Sequence, residues 1–371
     1  MEHRYDTVII GAGPAGLACG ITLVECGRMP CIIERATFPR RKTCAGLVTA
    51  KTHRLIKELF SGELPESLFS NTSERIRLFK RSELLVSAAL ERPVHFVSRT
   101  HFDNALAERY KALGGVLLEG ERHITFDDDS RTVALQSGDT MRYEHLLFAD
   151  GALSMSRRLW DCGKDVFALG VEAYVPADLL PTDSVDLYFD YLDSGYAWVF
   201  PHGDVVCIGA ADLRRRGTDW IGIFDRFLSD LGVSGEGIER IGAFLPYGKA
   251  IRQEKLPDHV LLLGDAGGLT DPISGEGLYM ALQSGIYAAE ALEAETPKQH
   301  YLSSIEPLTK VVSEGLKIQH MLYSPLPHRA FLHKVRGNER VVRYFFENMV
   351  EEYRYSYREL PRLFSDYRKS K

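Results

Sequence analysis

A glycine-rich turn between an apolar strand and a helix constrains the fold of this chain most strongly. The segment VIIGAGPAGLACGITLVECG (residues 8–27) spaces Gly11, Gly13 and Gly16 as G-x-G-x-x-G. The first glycine permits the tight turn, the second lets the backbone approach a pyrophosphate, and the third lets helix and strand pack closely. Glu34 follows near the roughly 20-residue distance expected of a carboxylate that binds ribose hydroxyls. The segment predicts a βαβ dinucleotide site, with an ordinary tight turn as the alternative. Three neighbours are expected to contribute to it: Pro14, Ala15 and Arg35.

A second glycine-rich segment, HVLLLGDAGGLTDPISGEGLYMAL (residues 259–282), indicates which dinucleotide binds. Asp265 follows a buried strand, where a carboxylate can bind polyol hydroxyls. Gly275 and Gly277 open a helix whose N-terminal amides can meet an electron-rich ring edge. NAD has no ribityl chain and would not need this element, so the two segments together favour a flavin dinucleotide. Two further residues are expected at this site: Gly264 and Pro272.

Two intervening segments complete the pattern. VSRTHFDNALAERYKALGG places Arg99 at a strand end before an amphipathic helix, and FADGALSMSRR supplies Asp150 and Gly151. The four ordered segments resemble the flavoprotein hydroxylase superfamily, whose p-hydroxybenzoate hydroxylase-like fold binds FAD, over most of residues 5–300. The resemblance implies that Arg99 lies near the pyrophosphate and Asp265 near the pyrophosphate or ribityl region. It links Asp150 and Gly151 to FAD and nicotinamide contacts, with a strand-end turn as the alternative for Asp150.

Composition agrees with a cytoplasmic enzyme of more than one domain. The chain has 371 residues, of which 45% are apolar, enough for a large core. Its net charge of −6 argues against a nucleic-acid binder. No signal peptide and no membrane-spanning apolar run is expected. The cysteines show neither C-x-x-C nor zinc spacing, which predicts reduced thiols and no metal site. They are Cys19, Cys26 and Cys31, all expected in or near the core of the first βαβ unit, and Cys44, Cys162 and Cys207.

The predicted fold class is α/β, with a Rossmann-like FAD-binding domain, an inserted mixed or antiparallel sheet for the substrate, and a helical C-terminus. The FAD-binding domain is discontinuous and comprises residues 1–60, 95–160 and 255–300. The substrate domain comprises residues 61–94 and 161–254, and the helical region residues 301–371. Within the substrate domain, residues 166–212 carry four strand-like runs, with turns that include Asp-Ser-Gly and His-Gly-Asp, which predicts an antiparallel meander. A helix is expected near residues 219–231, and a hairpin tip at Asp127–Asp129.

A predicted strand rich in aromatic residues narrows the range of functions expected for the chain. In DSGYAWVFP (residues 193–201), alternation places Tyr196, Trp198 and Phe200 on one face. The pattern resembles the Y-x-W-x-F-P signature of geranylgeranyl reductases, although Asp193 stands where that family usually has proline. The resemblance implies that the three aromatic residues bind the substrate and that Tyr196 and Trp198 belong to the catalytic site. A sheet face packed into the core is the alternative.

The segment RRKTCAGLVTAK (residues 40–51) resembles the basic-C-G-G loop of the same reductases, with Ala45 in place of the first glycine. The resemblance implies that Cys44, Ala45 and Gly46 lie close to the isoalloxazine. Cys44 is then a candidate proton donor to a substrate carbon that receives a hydride from the flavin. A thiol of ordinary pKa, about 8.5, is mostly protonated at neutral pH and can act as an acid. A small residue filling a tight loop is the alternative. The basic residues of the loop either hold an anionic phosphate or are merely solvated: Arg40, Arg41 and Lys42.

The chain is therefore expected to be an FAD-dependent oxidoreductase of the geranylgeranyl reductase-like branch that saturates carbon–carbon double bonds in an isoprenoid or similarly apolar substrate. There is no second strand-linked G-x-G-x-x-G segment. NADPH or NADH would thus bind transiently in the flavin cleft, or a small redox protein would deliver the electrons. A monooxygenase acting on an aromatic or polyketide substrate is the main alternative. Two further alternatives are a flavin halogenase and a non-catalytic flavin-binding protein.

The C-terminal segment, residues 328–371, is basic and aromatic, with 11 Lys and Arg against 6 Asp and Glu. Such a segment can rest on an anionic membrane surface or guide a lipid diphosphate. It can equally form helices that pack their aromatic rings on the body and leave arginines in water. Peripheral membrane contact is therefore an open expectation.

Overall fold

The glycine-rich turn lies at the carboxyl edge of a parallel sheet. The computed structural model describes residues 2–160, 167–212, 219–246, 248–352 and 357–359. In chain order the strands are β1 (Glu2–Arg4), β2 (Thr7–Ile10), β3 (Cys31–Glu34), β4 (Leu47–Val48), β5 (Asn71–Lys80), β6 (Glu83–Phe96), β7 (Val116–Glu119), β8 (Thr125–Asp127), β9 (Thr132–Ala134), β10 (Thr140–Arg142), β11 (His145–Phe148), β12 (Phe167–Pro176), β13 (Val185–Phe189), β14 (Gly195–His202), β15 (Val205–Asp212), β16 (Ile241–Pro246) and β17 (Val260–Leu262).

Helices follow most of the parallel strands and form the C-terminal region. They are α1 (Pro14–Glu25), α2 (Ala50–Leu59), α3 (Arg99–Ala112), α4 (Ser156–Leu159), α5 (Trp220–Asp230), α6 (Leu278–Ala291), α7 (Pro297–Ser304), α8 (Glu306–Leu322), α9 (Pro325–Val335) and α10 (Glu339–Phe345). Short 3₁₀ turns occupy Gln253–Lys255, Gly264–Gly267 and Tyr357–Glu359, and a π-helical turn occupies Phe346–Glu351.

Five strands form the parallel sheet, in the order β17-β11-β2-β3-β7. Their central residues are apolar because both faces of the sheet are covered. Ile9 and Ile32 pack on the side of helices α1, α3 and α6, whereas Val8 and Ile10 face the opposite side. The carboxyl ends of parallel strands share one edge, so the turns after β2, β3, β11 and β17 converge there. This confirms the Rossmann-like part of the predicted fold class.

A second sheet covers the other face of the parallel sheet. It has four short strands in the order β1-β10-β9-β8, and Val133 and Met141 join the same core cluster as Val8 and Ile10. Strands β8 and β9 form an antiparallel hairpin, and Asp127–Asp129 lie at its turn, as predicted.

The third sheet has eight strands in the order β16-β12-β15-β14-β13-β5-β6-β4. The predicted meander is confirmed for β13, β14 and β15, which pair antiparallel in chain order. It is wrong for β12, which pairs antiparallel with β15 and not with β13. Helix α5 follows where a helix was expected. The sheet also incorporates β4, β5 and β6, with β5 parallel to β13. Residues 47–48 thus contribute a strand to this sheet, while the division of the chain into domains remains a prediction.

The two faces of the eight-stranded sheet are covered by different helices. Helix α5 packs Phe224 and Phe227 on one face. On the other face, the C-terminal helices α9 and α10 pack Leu332, Val335 and Val342 against strands β5 and β6. The described part of the C-terminal region is therefore helical, as predicted; residues 353–356 and 360–371 lie outside the described residues.

The cysteines differ in their surroundings, and all those described are free. Cys19 and Cys31 are fully buried, as expected for the first βαβ unit. The expectation for Cys26 was wrong: it is exposed, because it caps the end of α1 and Gly27, with φ +82°, turns the chain away. Cys162 lies outside the described residues. Within the described part of the chain, no helix is long and apolar enough to cross a membrane.

Candidate cofactor and substrate site

The glycine-rich turn packs directly against the end of strand β11. A Cβ on Gly11, whose φ is +102°, would lie 2.6 Å from the Ala149 carbonyl oxygen. A Cβ on Gly16 would lie 2.0 Å from the Gly11 carbonyl oxygen. Gly13 differs, since its Cβ would meet nothing closer than 3.8 Å, and it lines an open cavity. The turn therefore leaves a space beside the N-terminus of α1, as a pyrophosphate requires.

Glu34 closes the other side of this turn. Its carboxylate is buried and accepts hydrogen bonds from the Ala12 N–H at 2.8 Å and the Ala36 N–H at 3.0 Å. Arg40 lies 3.6 Å from the same carboxylate and donates to the Ala12 carbonyl oxygen. Glu34 and the exposed Arg35 both line the cavity, where the sequence placed the adenosine end of a dinucleotide.

Arg99 is brought into the cavity wall by the first turn of α3. It makes a bidentate ion pair with the fully buried Asp103, at 2.7 and 2.9 Å. Arg40 joins them, 3.2 Å from Asp103. Although burial opposes it, Asp103 and the nearby Cys44 thiol raise the pKa of Arg99, so the guanidinium stays charged. Sequence reasoning named Arg99 but missed Asp103, which the i,i+4 spacing in RTHFD could have revealed.

Asp150 and Gly151 follow strand β11 and line the cavity. One carboxylate oxygen of Asp150, Oδ2, accepts from the Met155 N–H at 2.8 Å. The other, Oδ1, is buried and has no hydrogen-bond partner among the described residues. Burial raises the pKa of Asp150. A buried acceptor of this kind fits a ligand that carries hydroxyl or amide donors.

The segment after β17 forms another wall. Asp265 accepts a hydrogen bond from the Thr270 hydroxyl at 3.0 Å, and its main-chain oxygen accepts one from Arg157 at 3.2 Å. Gly275 has a φ of +70°, and Gly277 precedes the first turn of α6. Asp265, Gly275 and Gly277 line the cavity, so carboxylate and helix N-terminus meet there, as the sequence predicted.

The loop between Thr270 and Gly277 is fastened by contacts from several elements. Fully buried Asp271 accepts from the Tyr357 hydroxyl at 2.6 Å. Lys51 on α2 forms a buried ion pair with Glu276 at 2.6 Å and also donates to the Val350 carbonyl oxygen. Sequence reasoning missed this ion pair, because nothing in the two local sequences marks them as partners. The contacts hold the glycine-containing loop against both α2 and the C-terminal segment.

Cys44 lies half-buried in the loop between β3 and β4. Its N–H donates to Glu172 Oε1 at 3.1 Å, and its Sγ accepts from the Gly46 N–H at 3.4 Å. Gly46 has φ +73°, and a Cβ there would lie 2.2 Å from the Val97 carbonyl oxygen. The Ala45 carbonyl oxygen lies 2.9 Å from His202 Nε2. Cys44, Ala45 and Gly46 are therefore held in a fixed loop at the cavity wall.

The aromatic strand faces the same cavity. Tyr196, Trp198 and Phe200 all line it, with ring centroids 6.1 and 6.3 Å apart in sequence order. Gly209 on β15 lies opposite Trp198, where a Cβ would fall 2.2 Å from the indole ring. The Tyr196 hydroxyl donates to the Ser274 carbonyl oxygen. The strand thus touches the loop that carries Gly275.

These walls enclose a cavity of about 1210 Å³. Ligand pockets commonly have volumes of roughly 300–1,000 Å³, so this cavity is larger than most. Its polar end is formed by the turns of the parallel sheet. Its apolar end lies between the eight-stranded sheet and the C-terminal helices, and includes Leu78, Leu187, Val341, Val342 and Phe346. Three predicted cofactor residues do not line the cavity: Gly16, Gly264 and Pro272.

The chain is similar in sequence to a family model and to known proteins. The family model described as pyridine nucleotide-disulphide oxidoreductase matches residues 5–182. Geranylgeranyl diphosphate reductase of Rhodobacter capsulatus is 30% identical over 305 residues, which cover 78% of this chain and 75% of that protein.

Two solved structures share the fold. A geranylgeranyl bacteriochlorophyll reductase-like protein from Thermoplasma acidophilum superposes with a TM-score of 0.79 at 19% identity, covering 98% of this chain and all of that one. PqsL of Pseudomonas aeruginosa, a probable FAD-dependent monooxygenase, superposes with a TM-score of 0.72 at 19% identity, covering 90% of this chain and 99% of that one.

Proposed function

Since the chain belongs to the geranylgeranyl reductase-like family of FAD-dependent oxidoreductases, we propose that it reduces carbon–carbon double bonds of an isoprenoid or similarly apolar substrate. The observation that carries this proposal is the apolar end of the cavity. It runs without a break from the aromatic strand β14 to helices α9 and α10. A long hydrocarbon chain can be buried there while its double bond lies beside the Cys44 loop.

The residues at the polar end fit FAD. The space beside Gly13 admits a pyrophosphate at the N-terminus of α1, and Glu34 stands beside that turn. The unpartnered Asp150 Oδ1 offers an acceptor to a hydroxyl or amide donor. Asp265 stands next to the start of α6. When bound there, FAD supplies the two-electron chemistry, taking electrons from a donor and passing them to the substrate as a hydride.

The chain itself supplies orientation and a proton. Tyr196, Trp198 and Phe200 align the apolar chain of the substrate, and the surrounding apolar walls exclude water. The Cys44 thiol gives its proton to the substrate carbon that does not receive the hydride. Arg99 stays charged and lies beside this thiol, so it stabilises the thiolate that remains.

We expect the electron donor to use the same cavity. NADPH, NADH or a small redox protein must reach the flavin through the mouth beside the glycine-rich turns. Exposed cations stand at that mouth, among them Arg35, Arg122 and Arg158, and favour an anionic donor.

Anaerobic half-reactions test the proposal. The purified flavoprotein is reduced by NADPH, NADH or dithionite, and then mixed with a polyprenyl compound or with air. We expect the polyprenyl compound to reoxidise the flavin and a saturated product to appear by mass spectrometry. Free reduced FAD with the same compound is the control. Reoxidation by air alone, with an oxygenated aromatic product, would instead identify a monooxygenase.

A further inference from the structure

Glu172 is a buried carboxyl group on the wall of the reaction cavity. It lies on β12, is 2% exposed and lines the cavity. Its Oε1 accepts from the Cys44 N–H at 3.1 Å and lies 3.5 Å from the Tyr174 hydroxyl. The same hydroxyl donates to the Cys44 carbonyl oxygen at 3.3 Å. Both main-chain polar groups of Cys44 are thereby held by one short stretch of β12.

Glu172 has no salt-bridge partner within the described part of the chain. Burial raises the pKa of Glu172 to about 7, against the opposing effect of the Cys44 N–H and the Tyr174 hydroxyl. The carboxyl group is therefore partly protonated at neutral pH. The titratable and charged groups facing it come from the Cys44 loop, α3, its own strand and β15. They are Arg41, Cys44, Arg99, Tyr174 and Cys207.

A proton supply is needed at this point of the site. A reduction that takes the proton of Cys44 leaves a thiolate, which must be protonated again before the next reduction. Glu172 is the carboxyl group bonded to the main chain of the same cysteine.

We propose that Glu172 positions Cys44 through its main-chain N–H and returns a proton to its thiolate after each reduction. In this step the carboxyl O–H bond breaks, the S–H bond of Cys44 forms, and Glu172 is left as a carboxylate. That carboxylate is stabilised by the Cys44 N–H and the Tyr174 hydroxyl, and then takes a proton from solvent. No electrons move in the step. The inference rests on the proposed function, because it assigns the reduction proton to Cys44.

Glu172→Gln separates the two roles, since glutamine still accepts from the Cys44 N–H but holds no exchangeable acid proton. We expect a single anaerobic reoxidation of the reduced variant by the alkene to occur at nearly the wild-type rate. Repeated turnover should slow by at least about tenfold, and imidazole buffer should restore it. Asp186→Asn is the matched control, because Asp186 is a buried carboxylate of the same sheet that does not line the cavity. Equal slowing of single and repeated turnover, without rescue by imidazole, would overturn the proton-returning role.

A second readout does not depend on turnover. The alkylation rate of Cys44 by iodoacetamide is measured against pH in wild type and Glu172→Gln, with Cys44→Ser as the background. In wild type we expect an additional inflection near neutral pH, because ionised Glu172 opposes the thiolate. In Glu172→Gln that inflection should disappear. Identical profiles would overturn the inference even if the alkene is reduced. If the profiles differ but the wild type reduces no alkene, the proposed function fails while the coupling of Glu172 to Cys44 stands.

Discussion

Gly13 differs from its neighbouring glycines in what a side chain would meet. Gly11 and Gly16 lie against backbone atoms, whereas Gly13 faces open space. We therefore expect Gly13→Leu to fold but to purify without FAD, because the leucine occupies the space of the pyrophosphate. The ratio of flavin absorbance to protein absorbance and a thermal melt measure the two effects. Gly16→Leu is the comparison and should fail to fold. A fully yellow Gly13→Leu protein would contradict the assignment of this turn.

In the proposed mechanism, Cys44 is the residue whose chemistry separates a reductase from an oxygenase. In Cys44→Ser we expect reduction of the flavin to stay nearly normal, since no proton from this residue is needed there. Reoxidation by the alkene should slow by roughly 10²–10⁴-fold, because serine is a far weaker acid. Stopped-flow absorbance follows both half-reactions. Alkene turnover near the wild-type rate would remove Cys44 from the mechanism.

The raised pKa of Glu172 predicts how the free energy of unfolding depends on pH. Its folded-state pKa of about 7 lies above the ordinary value of 4.5, so the folded protein binds more protons than the unfolded chain between these values. Stability contributed by this group is therefore lost as pH rises from about 4.5 to about 7. Relative to Glu172→Gln, the wild type should lose up to about 3 kcal/mol across that window. Denaturant unfolding of both proteins at several pH values measures it, and parallel curves would contradict the assignment.

Local sequence revealed some of these residues and concealed others. The glycines could be predicted because each has a steric requirement within a few residues of chain. Arg99 was predictable, and its partner Asp103 lies at a recognisable helical spacing. Glu172 was not, because its importance comes from contact with Cys44, which lies in a distant part of the sequence.

At the scale of elements, β14 presents one face to the cavity and the other to a core cluster. Trp198 lines the cavity, whereas Val199 packs in the cluster under α5. We expect Trp198→Ala to weaken binding of a long apolar substrate by about 3–5 kcal/mol at most. Val199→Ala should instead lower the free energy of unfolding and leave substrate affinity unchanged. Titration calorimetry and denaturant unfolding distinguish the two. Loss of stability in Trp198→Ala with intact affinity would favour a packed sheet face.

The strands β13, β14 and β15 could be predicted because their apolar and aromatic runs are separated by Asp-Ser-Gly and His-Gly-Asp turns. The partners of these strands could not be predicted in the same way. Strand β13 pairs in parallel with β5, a contact between distant segments that only the tertiary fold specifies. Strands β8, β9 and β10 have three residues each, too few for any periodicity to be recognised.

At the scale of the whole molecule, Lys51 joins α2 to the loop between Thr270 and Gly277 through Glu276, and to the C-terminal segment through the Val350 carbonyl oxygen. Lys51→Met leaves the buried Glu276 carboxylate without its cation, so we expect a loss of about 3–5 kcal/mol in the free energy of unfolding. The double variant Lys51→Met with Glu276→Gln should lose less than the sum of the single variants. Denaturant unfolding of the four proteins gives this coupling. Strict additivity would mean that the pair does not act as a unit.

The bonds between the cofactor loop and the C-terminal segment have a thermodynamic consequence. Tyr357 and Lys51 bond the loop between Thr270 and Gly277 to the C-terminal segment. The loop and Val350 of that segment line the same cavity. A ligand that displaces the residues around Val350 and Tyr357 would therefore also act on the loop between Thr270 and Gly277. By reciprocity, the factor by which such a ligand tightens FAD binding equals the factor by which FAD tightens the ligand. The change in FAD affinity caused by a ligand at the apolar end of the cavity, and the change in that ligand's affinity caused by FAD, therefore measure one coupling free energy.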